Sequence, residues 1–440
     1  MKLWLLLGVL LEALVLAGLA LHVPGADNVG SEHLADVFVG VMGVAGAVYF
    51  GAVALVLRRP PPRGSVLWVL AIALAMRLTV LFVPPFLSSD MYRYVWDGKV
   101  QAAGISPYRY VPDDPALATL RDDVIYPHVN RREYSPTIYP PMAQIIFAAV
   151  ARVSPTITAM KAAMVAFEIV AVIAILRLLD LAALPRARVL IYAWNPLAVW
   201  SFAGNGHVDA AVVGFVALAL LARALRRDTL TGVALAGAIL IKFLPAAIAP
   251  ALWRRWTWRV PAACAATIIA LYLCYVSVGP RVLGFLPAYA GEEGLEQGSG
   301  IWLLAGLERL ATLPHEAPLI YFSIVAAIFA WLALTMTTGT QTIQRTAGNT
   351  AILAAGATAA ISAHYPWYFV WLAVPSCITP YRSVIFLSAA AMLLYRNPLD
   401  ERFFWPCLLY VPAIALAMLD LRHHTTAQRP LAADVIERSA

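Results

Sequence analysis

Apolar runs of about twenty residues recur along almost the whole chain, and they limit its fold more than any other feature. Twenty residues of α-helix span about 30 Å, the thickness of the hydrocarbon core of a bilayer. Within hydrocarbon every backbone N–H and C=O must find its partner in the chain itself, and a continuous helix satisfies them all. The expected fold class is therefore an all-α polytopic membrane protein. Charge agrees: 13% of the 440 residues are charged and 61% are hydrophobic, whereas soluble domains carry about 25% charged residues.

Candidate spans fall at 2–22, 35–57, 65–84, 157–178, 187–203, 208–223, 229–242, 244–253, 260–278, 318–337, 346–363, 367–380, 383–395 and 403–421. Several are short, and 229–253 reads as a hairpin broken at Lys242-Phe243-Leu244-Pro245, because proline cannot continue the helical ladder. The first 22 residues are too long and too apolar for a cleaved signal and read as a helix. The polar tail from residue 422 to 440 is expected to be disordered. The net charge of +7 does not indicate a nucleic-acid partner, because the arginines sit in short loops between apolar runs. All four cysteines, Cys264, Cys274, Cys377 and Cys407, lie inside apolar runs with no CxxC spacing, which argues against a disulfide framework or a cysteine metal site.

The arginine clusters set an orientation. Arg58/Arg59/Arg63, Arg177/Arg186/Arg188, Arg223/Arg226/Arg227, Arg254/Arg255/Arg259, Arg345, Arg382 and Arg422 can all be cytoplasmic together. The loop 85–137 is then extracytoplasmic, and the apolar stretch 138–153, which starts Tyr139-Pro140-Pro141, reads as a re-entrant or interfacial helix rather than a crossing. With this parity Asp90/Asp97, His207/Asp209, Lys242, Glu292/Glu293/Glu296 and His364-Tyr365-Pro366-Trp367-Tyr368 all reach the extracytoplasmic face. Parity gives the face and not proximity.

The densest polar cluster is Ser88-Ser89-Asp90-Met91-Tyr92-Arg93-Tyr94-Val95-Trp96-Asp97-Gly98-Lys99, directly after the apolar run from Leu67 to Pro85. It reads as the acid/base end of a lipid-facing active site. Ser89 is placed to cap a helix starting at Asp90, and an acid in the first turn suits the helix dipole. A partly desolvated carboxylate at that interface also suits a general base. Asp97 lies seven residues on, along the same face; it is either a second acid or the i+4 partner of Arg93, and the pairing is preferred. Lys242, flanked by apolar residues, either meets an arriving phosphate or snorkels from a helix end. His207 and Asp209 follow two glycines at a helix start and are too sparse for a metal site. Arg77 and Glu168 are intramembrane ions, functional by default unless they pair with each other. Arg152 and Lys161 flank an extracytoplasmic turn and are weaker phosphate contacts. The Tyr- and Arg-rich loop around Tyr108 suits sugar and phosphate binding, and equally suits an interfacial aromatic belt.

Read together, Ser89-Asp90-x-Tyr92-Arg93-Tyr94-x-Trp96-Asp97-Gly98, Gly104-x-x-Pro107-Tyr108, Tyr139-Pro140-Pro141, Trp194-Asn195-Pro196-Leu197, Gly206-His207-x-Asp209-Ala210, Lys242-Phe243-x-Pro245 and His364-x-Pro366-Trp367-Tyr368 resemble the GT-C superfamily of polyprenyl-phosphate-sugar-dependent glycosyltransferases. They are most similar to glycosyltransferase family 87, the phosphatidylinositol-mannoside mannosyltransferase type. The resemblance covers about residues 65 to 380. It implies a GT-C type bundle of about 12–14 transmembrane helices, with a large first extracytoplasmic loop carrying interfacial helices. The domains would be residues 1–64 as additional N-terminal helices, 65–380 as the catalytic module, 381–421 as C-terminal helices and 422–440 as a cytoplasmic tail.

The same resemblance implies Asp90 as catalytic base with His364 assisting, and Lys242, Arg77 and Arg152 at the donor phosphate. Tyr92, Arg93, Asp97, Tyr108, Tyr139, His207, Asp209, Trp367 and Tyr368 would contact substrate. The expected partners are a polyprenyl-phosphate sugar donor, a lipid or glycan acceptor and membrane lipids, with no cofactor and no obligatory metal. The implied reaction is inverting transfer of one sugar, mannose by family, on the extracytoplasmic side of a bacterial inner membrane. A glycan ligase using a polyprenyl-diphosphate donor and a lipid or sugar transporter are the alternatives. A ligase would want more arginine near the site, and a transporter would place its ions at mid-bilayer.

Overall fold

The structure, a computed structural model, describes residues 2–21, 32–254, 257–338, 341–396 and 403–427. Among these the regular structure is helical throughout, with no strand. The chain is an all-α polytopic membrane protein, as the apolar runs require. Five described helices are long and apolar enough to cross a bilayer, and up to seven crossings result if each of two sharply bent helix pairs counts as one. The shortfall from 12–14 spans has a visible cause. The apolar runs at 187–203, 244–253, 367–380 and 383–395 are interrupted by proline or by tight turns, and each divides into helical pieces of at most nine residues.

The elements that matter for the site are α1 (Lys2–Ala20), α2 (Glu32–Arg58), α3 (Val66–Leu81), α4 (Asp90–Ala102), α5 (Pro141–Val153), α6 (Ile157–Leu181), α7 (Asp209–Ala224), α8 (Asp228–Ile239), α9 (Arg259–Leu273), α10 (Leu286–Glu292), α11 (Ala317–Thr337), α12 (Ile343–Ala360), α13 (Arg382–Ala390) and α14 (Phe404–Ala427). The N-terminal helices pack into the bundle: α1 lies against α2 and α3, and the Thr79 hydroxyl on α3 donates to Glu12 on α1 at 2.5 Å. Helix α14 carries the chain on to Ala427, and the rest of the expected tail lies outside the described residues. The four cysteines are free.

Helix α5 begins at Pro141, where a missing N–H costs nothing, and has 13 residues. At ~1.5 Å per residue that is about 20 Å, short of a bilayer core. Its first free N–H groups, those of Met142 and Ala143, donate to the Leu240 carbonyl at the end of α8, at 3.0 and 3.2 Å. One helix start thereby caps another helix end and fixes Tyr139 beside Lys242 in the fold. Gly98 lets α4 press onto α5, because a Cβ there would come within 2.5 Å of the Phe147 carbonyl oxygen.

Before α7 the chain runs through a π-helical turn, Val199–Gly204, and then bends by 120° into α7. Gly206 makes the bend possible. Its φ is +70°, and a Cβ would sit 1.7 Å from the Met91 Cε on α4. The bend carries His207 and Asp209 in against the start of α4. The buried ion pair of Arg77 (α3) with Glu168 (α6), 2.6 Å, ties two neighbouring helices together below it.

Candidate active site

A cavity of about 530 Å³ opens where the start of α4 meets the loop between α4 and α5, the loops after α8 and α12, and the end of α10. Its size is that of a small-molecule pocket. Asp90 lies in its wall on the first turn of α4, where helix N–H groups favour a negative charge. The capping expected of Ser89 is not made. Ser88 Oγ instead accepts from the Asp90 N–H at 3.4 Å, because Leu87 takes a left-handed φ of 67° and turns the chain one residue earlier. A leucine in that region costs about 1–3 kcal/mol and persists only where its surroundings enforce it.

Two neighbours orient the Asp90 carboxylate. Asn130 Nδ2 donates to Oδ1 at 2.8 Å, and His207 Nδ1 stands 3.7 Å from Oδ2. His207 is fully buried and stacks on Trp367 with ring centroids 3.5 Å apart. Neither of its nitrogens has a hydrogen-bond partner. Trp367 in turn stacks on Tyr365 at 5.0 Å, so His207, Trp367 and Tyr365 form a short aromatic column beside Asp90.

In the same cavity, Lys242 presents Nζ 3.9 Å from the centre of the Tyr368 ring and 3.5 Å from Asp209 Oδ2. His364 lies in the same wall, with Nε2 3.9 Å from Glu293 Oε2. Tyr365 donates to Glu293 Oε1 at 3.3 Å. Burial, then the Glu293 and Asp90 carboxylates, push the Tyr365 hydroxyl above its ordinary range, so it remains a donor at neutral pH. Among the described residues no group of three or more His, Cys, Asp or Glu side chains is arranged to hold a metal ion.

Of the residues singled out from the sequence, Asp90, Tyr139, Lys242, His364, Trp367 and Tyr368 line this one cavity. His207 and Asp209 back it through contacts to Asp90 and Lys242. The others stand apart. Arg77 is held by Glu168 and by the Ala73 and Ala193 carbonyls, and Tyr192 donates to the same Glu168 oxygen. Arg152 is exposed at the far end of α5. Tyr92 packs on His128, and the Tyr108 hydroxyl donates to the Tyr139 carbonyl at 2.8 Å.

Arg93 and Asp97 form their i,i+4 pair at 2.9 Å. Arg93 also donates to the Asn130 and Ser135 carbonyls at 3.3 and 3.1 Å, and so holds the loop from which Asn130 reaches Asp90. Gln144 Nε2 donates to the other Asp97 oxygen, Oδ2, at 2.9 Å. Lys161 is fully buried and donates to the Val80 and Val83 carbonyls at the end of α3.

Asn130 and Arg131 enter the cavity without having been singled out. Arg131 Nε donates to Glu292 Oε1 at 2.6 Å. Partial burial opposes its charge but the Glu292 carboxylate outweighs this, so Arg131 is held cationic. Both residues sit in an irregular loop with no periodicity to mark them. The one local hint is Asn130-Arg131-Arg132 within a polar stretch.

A base and a cation that line one pocket fit transfer of a group between two oxygens. The family comparison decides the class. Residues 1–258 match the model of the MptA_B family, described as alpha-(1->6)-mannopyranosyltransferase, N-terminal domain.

The chain belongs to this mannosyltransferase family.

It is thus a membrane glycosyltransferase that moves mannosyl units. The match begins at residue 1 and so takes in α1 and α2 along with Asp90, His207, Asp209 and Lys242. The mannosyltransferase cavity is completed from beyond the matched stretch, by Glu292, Glu293, His364, Trp367 and Tyr368. No curated protein and no solved structure matches the chain.

Proposed function

We propose that this mannosyltransferase takes its mannosyl unit from a polyprenyl-phosphate donor and passes it, with inversion, to a hydroxyl of a lipid or glycan acceptor. The single observation that carries the reading is the placement of Asp90 and Lys242 in the walls of one cavity. Asp90 accepts the proton of the acceptor hydroxyl as that oxygen attacks the anomeric carbon. A new C–O bond forms on one face of the sugar while the bond to the phosphate oxygen breaks on the other. The electron pair leaves with the polyprenyl phosphate. In-line displacement on a β-configured phosphate ester gives an α product, the linkage in the family's description.

Lys242 faces the charge that develops on the departing phosphate. Its present neighbours, Asp209 and the Tyr368 ring, hold the ammonium in place. His364 and Tyr365 supply donors for sugar or phosphate oxygens from the same wall. A monophosphate leaving group met by a lysine calls for no obligatory metal. Arg77 takes no part in this scheme, being engaged by Glu168, and Arg152 is remote from the cavity.

The reaction is placed on the extracytoplasmic side of a bacterial inner membrane. Support comes from the arginines. Arg223 ends α7, which starts at the cavity with Asp209, and Arg345 lies in the first turn of α12, which ends four residues before His364. Arginine-rich ends are retained in the cytoplasm, so the cavity end faces outward.

The test uses purified full-length protein in nanodiscs, with radiolabelled polyprenyl-phosphate mannose and candidate glycolipid acceptors. The expected result is a labelled product with an α linkage, and none from a nucleotide sugar. Product from the nucleotide sugar alone, a β linkage, or sugar movement across vesicles without any product would overturn the reading.

A further inference from the structure

A second polar cavity, of about 230 Å³, lies at the end of the bundle remote from Asp90. Its walls come from the last turns of α6 and α7, the first turns of α12, and Ile378. Helix α7 has 16 residues, so at ~1.5 Å per residue about 24 Å separate its two ends, Asp209 at one cavity and Arg223 at the other.

Arg223 is 6% exposed and lines this second cavity. One of its terminal nitrogens donates to Gln341 Oε1, while its Nε is buried without a partner. Arg226 shares the wall, held by the left-handed turn (φ 58°) that ends α7. Arg254 lies within electrostatic reach, and so does the Asp228 carboxylate. Arg188 donates to the Ile378 carbonyl on the far wall at 3.4 Å. Two guanidinium groups thus line the cavity and two more lie close by, while Asp180, at the end of α6, is paired outside it with Arg186. A buried cation is costly unless an anion meets it.

An apolar crevice of about 610 Å³ adjoins this site, lined by α8, α9, α11 and Trp253. Gln341 joins the two. Its Oε1 accepts from Arg223 and its Nε2 donates to the Trp253 carbonyl at 3.1 Å. A cationic pocket next to a hydrocarbon-lined crevice matches a molecule with a phosphate head and an apolar tail. We propose that this end of the protein is a binding site for an anionic membrane phospholipid, its phosphate on Arg223 and Arg226 and one hydrocarbon chain in the crevice. The site is separate from the mannosyl-transfer cavity and does not depend on the donor assigned to it.

The experiment measures thermal unfolding of the delipidated full-length protein in a neutral detergent. Dioleoylphosphatidylglycerol, dioleoylphosphatidylcholine or inorganic phosphate is titrated in. Phosphatidylglycerol is expected to raise the melting temperature saturably, and phosphatidylcholine with the same chains is not. Arg223→Gln and Arg226→Gln are each expected to raise the half-saturating concentration about tenfold. Arg226 is exposed, so its variant carries the test if Arg223→Gln does not fold. Arg186→Gln removes an exposed charge outside the cavity, paired with Asp180, and is expected to change nothing. Equal response to the two lipids, equal weakening by Arg186→Gln, or a full shift with inorganic phosphate alone would each overturn the lipid assignment.

Discussion

Behind the mannosyl-transfer cavity, buried ions meet ionic partners at hydrogen-bond distance; in the cavity wall Arg131 and Glu292 do the same, whereas Asp90 and Lys242 keep their ionic neighbours farther off. Arg77 and Glu168 are 2.6 Å apart, and Arg93 and Asp97 are 2.9 Å apart, each with further donors or carbonyls around them. At the wall, Asp90 stands 3.7 Å from His207, and Lys242 stands 3.5 Å from Asp209. Closely coupled buried pairs offset their own desolvation only through near-complete hydrogen bonding. Asp97 achieves that through both carboxylate oxygens, and Arg77 through Glu168 Oε1 and two carbonyls, although Glu168 Oε2 is buried without a partner; neither Arg77 nor Arg93 has a charge left to offer a ligand. The looser contacts orient their groups and leave the charge available to an incoming hydroxyl or phosphate. Ions in apolar surroundings are therefore not alike, and the closeness of their pairing separates scaffold from chemistry.

The sharpest way to break this distinction is Asp90→Asn. The amide keeps the shape and can still meet Asn130 after a flip, but it cannot accept the acceptor proton. Mannosyl transfer should fall about 10²–10⁴-fold, the usual contribution of a general base, while the melting temperature stays close to that of the parent. Wild-type turnover in a labelled-donor assay would remove Asp90 from the mechanism. Arg77→Ala is the mirror experiment. It strands Glu168 in a dry interior, at a cost of about 3–5 kcal/mol. Thermal unfolding should show a large loss of stability, yet the transfer rate per folded molecule should be nearly unchanged. A variant that is stable and inactive would put Arg77 back among the donor-phosphate residues.

Part of this arrangement is readable in the sequence, and the divide follows from chemistry. The i,i+4 spacing of Arg93 and Asp97 lies within one helix, so their pairing follows from helical geometry alone. Asp90 is conspicuous because it begins a polar cluster next to an apolar run. The membrane fold follows from run length, because a bilayer accepts few backbone solutions. Arg77 and Glu168 are 91 residues apart, and only packing of α3 on α6 decides between a pair and two ligand contacts. The placement of Asn130 and Arg131 is likewise hidden. It depends on an irregular loop fixed by contacts from Arg93 and Glu292, which no local pattern encodes. The capping serine was legible as a serine but not as Ser88, since the left-handed turn at Leu87 breaks the usual expectation for a bulky residue.

Lys242→Gln examines the cation of the same cavity. The neutral amide retains length and polarity but removes the charge facing the departing phosphate. A loss of about 10²–10³-fold in kcat is expected, in line with a single electrostatic stabiliser. Asp209 is left near the amide with no cation to meet. Asp209→Asn in the same background should then recover stability without recovering turnover. Recovery of both would show that Lys242 serves only to neutralise Asp209, and the wall would join the scaffold class.

The smallest effect, and the finest division between the two classes, belongs to Asn130. Its side chain touches Asp90 while its carbonyl is held by Arg93, so one residue stands on both sides of the comparison. Asn130→Ala removes the side-chain donor and keeps the carbonyl contact. Loss of one hydrogen bond to a carboxylate corresponds to about 1.5–3 kcal/mol. Because the site is partly solvated, the lower part of that range applies, roughly a tenfold fall in kcat. The loop should remain in place through Arg93, leaving the melting temperature and KM little changed. If kcat, KM and stability all shift together, the loop has come loose, and Asn130 belongs with the scaffold rather than with the orientation of Asp90.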